Sequence, residues 1–414
     1  MKQALSAAFN ANEPPADAAA KILVRLGLST LFIGLPLLSL FWRSAIYVLL
    51  PVGALLILSG ALFQAPETAG RRLRAAFSSP ITGAALFLVF WAFLSLFWTP
   101  FPGEAADRLI KSAGSTLLAV FVAIYLPQRK GSLDEYLLPF GLAMTAAATL
   151  AVVLLSLISS TFEVDGSLFE RAMVTCIVLV WPALGILSAR EHWIPAAVLA
   201  ILIASVALVG FAQIALLAMG ASAFTFASAM SNPVRTGRTL ALASALLVLL
   251  APALPFLYRF LLWLTGIQAG SASAGLLIWS DLMVSHWARL ITGHGFNFVH
   301  QGLSYGYLPE RAPKSLLFII WYELGAAGAV GFTLLSASAL WIAGTLPAKV
   351  APALLAGLVA ILTIAILGIA TAQIWWLTLL DCDLIAFTLL LSSGQKMQRL
   401  EARAFRAAEV ESAK

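Results

Sequence analysis

The sequence predicts an all-α polytopic membrane protein. Hydrophobic residues make up 61% of its 414 residues and charged residues only 11%, against roughly 25% charged residues in globular domains. The mean hydropathy is +0.96. Apolar runs of about 18 to 25 residues recur along the chain, which is the length that an α-helix needs to cross a hydrocarbon layer of roughly 30 Å. Strands of a membrane barrel would be shorter and would alternate in polarity.

Proline, glycine and clusters of charge divide the chain into about twelve predicted transmembrane helices. They lie near Ile22–Leu40, Ala45–Phe63, Ile81–Trp98, Leu109–Leu126, Tyr136–Ile158, Ala172–Leu187, Trp193–Gly210, Gln213–Ala229, Leu240–Leu262, Leu316–Leu340, Ala351–Leu367 and Ala372–Leu391.

The apolar run from Trp193 to Ala229 allows two interpretations, one long tilted helix or a tight hairpin that turns near Gly210 to Gln213. Basic residues collect in cytoplasmic loops. With a cytoplasmic N-terminus and a hairpin, most lysines and arginines, including those of the C-terminal tail, lie inside. A single helix would move that tail outside, so we predict the hairpin.

The predicted organisation is a cytoplasmic tail over residues 1–21, a membrane domain over 22–394 and a basic cytoplasmic tail over 395–414. A large extracytoplasmic loop covers about residues 263–315. The first twenty residues lack the charged start and apolar core of a signal peptide, so we expect the first helix to be retained. The C-terminal tail has helical spacing and either lies on the anionic leaflet or is solvated.

Composition also argues against several classes of site. Cys176 and Cys382 both fall in apolar runs, which is typical of packing residues rather than of a disulfide or a thiolate metal site. No metal-ligand cluster, phosphate-binding Walker loop or nucleotide fingerprint is recognisable. We therefore expect no metal and no cofactor. The net charge of +6 indicates orientation in the membrane rather than nucleic-acid binding.

The large loop collects polar residues that the rest of the chain avoids, among them three of its four histidines, His286, His294 and His300. Any polar loop gathers charge, so this alone does not indicate a site. The glycines around it are more informative. Gly293 and Gly295 flank His294 and suit a tight turn, and a small-residue patch from Gly325 to Gly328 permits close approach by a neighbour.

The pattern of these residues resembles the O-antigen ligase family and the related lipid-linked polysaccharide polymerases. In that family a Gly-His-Gly turn precedes a His followed by Asn, Ser or Gln, then nine residues and Gly-x-x-Gly. The corresponding residues here are Gly293 to Gly295, then Lys314 and Ser315, then Gly325 to Gly328. The spacing matches throughout. The stretches 97–119 and 276–283 also look like their counterparts in the family.

The resemblance implies a GT-C-like glycosyltransferase architecture in the bacterial inner membrane, with the loop in the periplasm. It also implies metal-independent, inverting transfer of a glycan from polyprenyl pyrophosphate to a lipid or glycan acceptor, as in lipopolysaccharide and other surface polysaccharide biosynthesis. Arginine forks would stabilise the departing pyrophosphate. A histidine would orient or deprotonate the acceptor.

The chain departs from the family at three positions. Lys314 stands where the family has its catalytic histidine, Gly275 stands where an arginine is common, and Gln213 falls near a further arginine position. A lysine can bind phosphate but acts as a base only when its pKa is strongly lowered, so binding is the expected role of Lys314. This departure also suggests a second hypothesis, a non-catalytic relative that binds a lipid-linked precursor.

The predicted site residues follow from these arguments. Lys314 takes the catalytic position; the predicted substrate-binding residues are Arg108, Lys111, Arg289, His294 and Arg311; the predicted motif residues are Gly293, Gly295, Ser315, Gly325 and Gly328.

Asp381 and Asp383 lie near the middle of the last apolar run. Carboxylates at that depth are costly and indicate a pathway or a buried partner. Residues i and i+2 point about 200° apart around a helix, so the two cannot face one site. Their presence supports a third hypothesis, a proton-coupled transporter.

Overall fold

The computed structural model describes residues 15–42, 44–64, 69–126, 132–158, 166–267, 270, 273–368 and 373–392. In these residues all regular secondary structure is helical. Eight helices are long and apolar enough to cross a membrane, and the number rises to ten if each of two sharply bent helix pairs forms one span. The chain is a polytopic helical membrane protein.

In the first half of the chain, the described residues form nine α-helices. They are α1 (Pro15–Ser29, extended by a π turn and a short helix to Ser39), α2 (Ala45–Gln64), α3 (Ala69–Phe77), α4 (Pro80–Ser95), α5 (Pro102–Tyr125), α6 (Leu137–Ile158), α7 (Gly166–Ala189), α8 (Trp193–Val209) and α9 (Gln213–Ser231).

In the second half, the part of the chain that the structure describes forms eight more α-helices. They are α10 (Pro233–Leu249), α11 (Ala253–Thr265), α12 (Ala274–Ser285), α13 (Phe298–Ser304), α14 (Leu316–Ile319, followed by a π turn to Leu324), α15 (Gly325–Gly344), α16 (Ala351–Leu367) and α17 (Ile374–Ser392).

Local sequence explains where several helices begin. Proline occupies the first turn of α4, α5 and α10, where its missing N–H costs no hydrogen bond. Two of these helices are also capped by a side chain: Ser79 accepts from the N–H of Ile81, and Asn232 accepts from the N–H of Arg235. Such caps satisfy backbone donors that the helix itself leaves unpaired.

The predicted hairpin is present. Helix α8 ends at Val209 and α9 begins at Gln213. The turn between them includes Phe211, whose φ of 53° is a value that L side chains rarely adopt. The distribution of basic residues between the loops therefore selected the correct one of the two interpretations of this apolar run.

The predicted helix Leu240–Leu262 is not one straight helix but a bent pair, α10 and α11. The chain bends by 73° between α10 and α11. Pro252 lies at the bend and Pro255 in the next turn, and a proline disfavours helical geometry in the residue before it. Two further predicted spans, α8 and α16, are present but have only 17 residues each, the lower limit for crossing a bilayer.

The core of the bundle surrounds α7. Almost all of its residues from Arg171 to Ala189 are buried, and α6, α8, α9 and α16 pack around it. A helix that is apolar on every face belongs in the interior of a bundle. Cys176 and Cys382 are both buried, unpaired thiols in this core, consistent with packing residues.

Residues 286–315 lie at one end of the bundle, which we call the loop end. The start of α5 reaches it, since the Phe101 ring stacks on Tyr305 at 5.3 Å. The end of α4 reaches it too, because Ser95 Oγ accepts from the N–H of Phe296 at 2.9 Å. The predicted loop of about 263–315 is largely structured and contains α12 and α13. The predicted C-terminal tail, 395–414, lies outside the described residues, and α1 begins inside the predicted N-terminal tail.

Candidate functional site

The Gly-His-Gly turn (Gly293 to Gly295) docks on the Glu-Leu-Gly segment (Glu323 to Gly325). The N–H of His294 donates to the Tyr322 carbonyl and the N–H of Gly295 to the Glu323 carbonyl, both at 2.9 Å. These bonds join two segments that are far apart in the sequence. The motif spacing therefore describes one tertiary contact rather than two separate features.

Glycine is required on both sides of this contact. Gly293 has a φ of 71° and Gly325 a φ of 65°, values that L side chains rarely adopt. A Cβ on Gly325 would lie 2.3 Å from the Ile291 carbonyl oxygen, and a Cβ on Gly293 would lie 2.1 Å from the Glu323 carbonyl oxygen. The small-residue patch thus admits the Gly-His-Gly turn at Gly325, rather than a neighbouring helix.

The Glu323 carboxylate holds the next part of the loop. Its two oxygens accept from the N–H groups of Asn297 and Val299 at 3.0 and 2.8 Å. The side chain is buried, and Asn297 is held at a φ of 66°. Buried carboxylates persist when backbone donors and an opposite charge compensate them. The opposite charge here is that of Arg108.

Arg108 lies beside this loop on the partly buried face of α5. Its guanidinium donates to Asn297 Oδ1 at 2.7 Å and is attracted by the charge of Glu323. Arg108 also acts electrostatically on the Tyr47 hydroxyl near the start of α2. The predicted binding residue Arg108 is therefore positioned by the loop motif itself.

Arg171 is a functional candidate that the sequence analysis missed. It is buried near the start of α7, its guanidinium stacks on the Trp375 ring at 5.1 Å, and it acts on the same Tyr47 hydroxyl as Arg108. The signal was an arginine at the start of an otherwise apolar helix, which by itself indicates function. Two arginines from α5 and α7 thus converge on Tyr47.

Lys314 is partly buried and is linked to Arg108 through a shared electrostatic effect on one histidine. Its charge and that of Arg108 both act on His300, in α13. Partial desolvation, together with these two positive charges, lowers the pKa of His300. The structure therefore brings together the predicted residues Arg108 and Lys314.

His294 and Arg289 border a separate shallow pocket with His286, Trp279 and Tyr322. His294 Nδ1 lies 3.0 Å from the Tyr322 carbonyl oxygen, which can only accept, so we assign the proton to Nδ1. Nε2 is buried and has no hydrogen-bond partner among the described residues. Burial lowers the pKa of His294 to about 4. The ring is therefore neutral at pH 7 and presents an acceptor.

The remaining predicted residues lie elsewhere. Lys111 is exposed and pairs with Asp107 at 2.6 Å within α5. Arg311 is exposed on the loop surface. Ser315 caps α14 by accepting from the N–H of Phe318, and Gly328 is buried in α15. Across the described ranges, no three His, Cys, Asp or Glu side chains are grouped so as to hold a metal ion.

Comparison with known proteins identifies no relative: no family model, no curated protein and no solved structure matches this chain. The resemblance to the O-antigen ligase family stays a prediction carried by the motif and its spacing.

Proposed function

We propose that this protein belongs with the O-antigen ligases and lipid-linked polysaccharide polymerases and handles a glycan on polyprenyl pyrophosphate. The observation that supports the proposal best is the position of Arg108. It is attached through Asn297 to the same loop that the Gly-His-Gly turn and the Glu-Leu-Gly segment hold in place. A motif that orients an arginine is suited to recognising phosphate.

A site of this composition favours a doubly phosphorylated lipid. The positive charges of Arg108 and Arg171 both act electrostatically on the Tyr47 hydroxyl. The charges of Lys314 and Arg108 both act electrostatically on His300. Arginine pairs with phosphate through a planar fork, and lysine adds a compact charge. In the proposed reaction an acceptor hydroxyl attacks the anomeric carbon, the bond from that carbon to the pyrophosphate oxygen breaks, and these cations stabilise the charge on the leaving group.

The neutral His294 has a different proposed role. Its buried Nε2 is free to accept a hydrogen bond, so it would orient an acceptor hydroxyl rather than bind phosphate. A histidine with a pKa near 4 is a weak general base, because catalytic bases work best with a pKa near the operating pH. The hydroxyl proton therefore leaves late, after the carbon–oxygen bond to pyrophosphate has begun to break, and passes to water or to an oxygen of the departing pyrophosphate.

The same proposal gives the arrangement in the cell. The bacterial inner membrane holds the chain, the loop end faces the periplasm and both termini are cytoplasmic, in agreement with the distribution of lysine and arginine. If both bent pairs and both 17-residue helices cross, the number of spans is the predicted twelve. A GT-C-like architecture would follow from this arrangement of helices around an outward loop.

The experiment is glycan transfer by purified protein reconstituted in lipid, from a polyprenyl-pyrophosphate donor and without added metal or nucleotide. We expect transfer by the wild type and its loss in Arg108→Gln and Lys314→Ala. Arg259→Ala is the matched control, because Arg259 is an exposed arginine paired with the exposed Asp281. Full activity in both site variants would contradict the assignment of the site.

A second candidate is a non-catalytic relative that binds the lipid-linked precursor. Lys314 favours it, since this residue replaces the histidine of the family. Binding of polyprenyl pyrophosphate by the wild type with no transfer to any acceptor would select this candidate.

A further inference from the structure

A polar stripe runs along α5 from the loop end into the membrane-spanning part of the bundle. Arg108, Ser112, Ser115 and Thr116 occupy positions i, i+4, i+7 and i+8, which share one face of a helix. Ser112 is buried on this face, Arg108 and Ser115 are partly buried, and Thr116 lies at its exposed edge. The stripe covers two turns, or about 12 Å along the helix axis.

The stripe ends at Asp381 in α17. The Asp381 carboxylate accepts hydrogen bonds from the hydroxyls of Ser115 and Thr116, and the side chain is only 4% exposed. Its Oδ2 has no hydrogen-bond partner among the described residues. Asp381 lies about 10 Å along the helix from Ile374, so it is well inside the span.

Ser112 provides the link between the two ends. Its hydroxyl is buried and also lacks a partner within the described part of the chain. Its carbonyl oxygen lies 3.0 Å from Ser115 Oγ, so the single proton of the Ser115 hydroxyl has two alternative acceptors, this carbonyl and the Asp381 carboxylate. Buried hydroxyls are normally hydrogen-bonded. Ser112 Oγ and Asp381 Oδ2 are thus two buried polar groups without a partner on one short path. We infer that a mobile ion moves along this path and supplies the missing interactions.

The groups around Asp381 restrict what that species is. In the described residues no charged side chain acts electrostatically on Asp381. On its own helix Cys382 Sγ faces the Leu31 carbonyl, and Asp383 points about 200° away around the helix. An isolated carboxylate inside a membrane is costly and is neutralised by binding a proton.

We propose that Asp381 is a proton-binding site inside the membrane-spanning region and that the α5 stripe connects it to water at the loop end. A proton enters at the level of Arg108, the hydroxyls of Ser112, Ser115 and Thr116 each accept one proton and release another, and a carboxylate oxygen of Asp381 takes the last one. The return path is the same. This role is independent of glycan handling, because no phosphate takes part in it.

Infrared difference spectroscopy of the full chain in lipid nanodiscs tests this proposal. The protonated acid gives a carbonyl band that shifts when H₂O is replaced by D₂O. Other buried carboxyl groups, Asp383 among them, can give acid bands of their own, so the quantity measured is the component that each substitution removes. We expect Asp381→Asn to remove one D₂O-sensitive component of the wild-type spectrum. Asp383→Asn is the matched control, because Asp383 is equally buried but lies off the stripe, and it should leave that component in place.

Ser112→Ala tests the path without removing the acid. We expect it to keep the band and to slow its exchange in D₂O severalfold, with an unchanged elution profile as evidence of folding. An acid-band spectrum that Asp381→Asn leaves unchanged, or exchange as fast in Ser112→Ala as in the wild type, would overturn the proposal. Displacement of the band by Na⁺ at constant pH would also overturn it, by showing that the site takes a metal cation.

Discussion

At the scale of single residues, the site depends on groups that are buried next to compensating partners. Glu323 is tolerated because two backbone N–H groups and Arg108 compensate its charge. His294 is tolerated because it is neutral and gives its Nδ1 proton to the Tyr322 carbonyl. Both arrangements follow the rule that buried polar groups need partners, and both depend on the loop remaining docked.

The protonation of His294 predicts a pH dependence of stability. Its pKa is lowered from 6.5 to about 4 in the fold by burial, so the unfolded chain binds the extra proton first as the pH falls. The stabilisation is complete above pH 6.5 and is lost as the pH falls towards 4. We expect the melting temperature of the purified protein to fall across this window, and to fall less steeply in His294→Asn, whose amide can still donate to Tyr322.

Carboxylates also titrate between pH 4 and 6.5, so the informative quantity is the difference between the two slopes. His192→Asn is the control, since His192 is exposed at the start of α8. Equal slopes for the wild type and His294→Asn would contradict the assigned environment of His294.

At the scale of elements, the Gly-His-Gly turn and the break before α15 form one unit. Gly325 has a φ of 65° and a ψ of −161°, a region that is essentially restricted to glycine. The helix therefore breaks where the loop docks. Gly295 adds a second close contact, since a Cβ there would lie 2.5 Å from the Thr99 Cβ.

Gly325→Ala should therefore be much more destabilising than Gly306→Ala. Both glycines have positive φ values, but a Cβ on Gly306 meets no atom within 4 Å, whereas a Cβ on Gly325 meets the Ile291 carbonyl oxygen at 2.3 Å. Gly306→Ala has only the backbone cost of about 1–2 kcal/mol, and Gly325→Ala also displaces the loop. Thermal unfolding and proteolysis of residues 286–315 measure the difference; similar results for the two variants would contradict the docking.

The helices were largely predictable and the site only in part. Hydrophobic length and charge bias were enough to locate the spans and the hairpin between α8 and α9, because the bilayer itself imposes them. The bend between α10 and α11 depends on tertiary packing as well as on Pro252. Arg108 on α5 and Arg171 on α7 both act electrostatically on Tyr47, and no local pattern encodes a relation of that range.

At the scale of the whole molecule, the distribution of basic residues predicts which end faces outward. The loop end carries the site, and the opposite end includes the start of α10 with Arg235 and Arg238. The positive-inside bias predicts that this opposite end is cytoplasmic. A donor lipid in the outer leaflet would then meet Arg108 at the surface of the membrane.

Labelling of single cysteines tests this orientation. In a Cys176→Ala, Cys382→Ala background, Ser304→Cys at the loop end should react with a membrane-impermeant maleimide in spheroplasts. Ser231→Cys, at the end of α9, should react only after lysis. Both serines are exposed, so the contrast reports orientation; the reverse pattern would show that the loop end is cytoplasmic.

The most direct test of the central claim is the binding of polyprenyl pyrophosphate to the purified protein in nanodiscs, with Arg108→Gln compared with Lys111→Gln on the same helix. Arg108 is oriented by Asn297, whereas Lys111 is exposed and paired with Asp107. Loss of a charge-assisted hydrogen bond should weaken binding about 10- to 100-fold in Arg108→Gln. Lys111→Gln should change it by less than about fivefold. Equal effects of the two substitutions, or equal binding of the unphosphorylated polyprenol by the wild type, would contradict the claim.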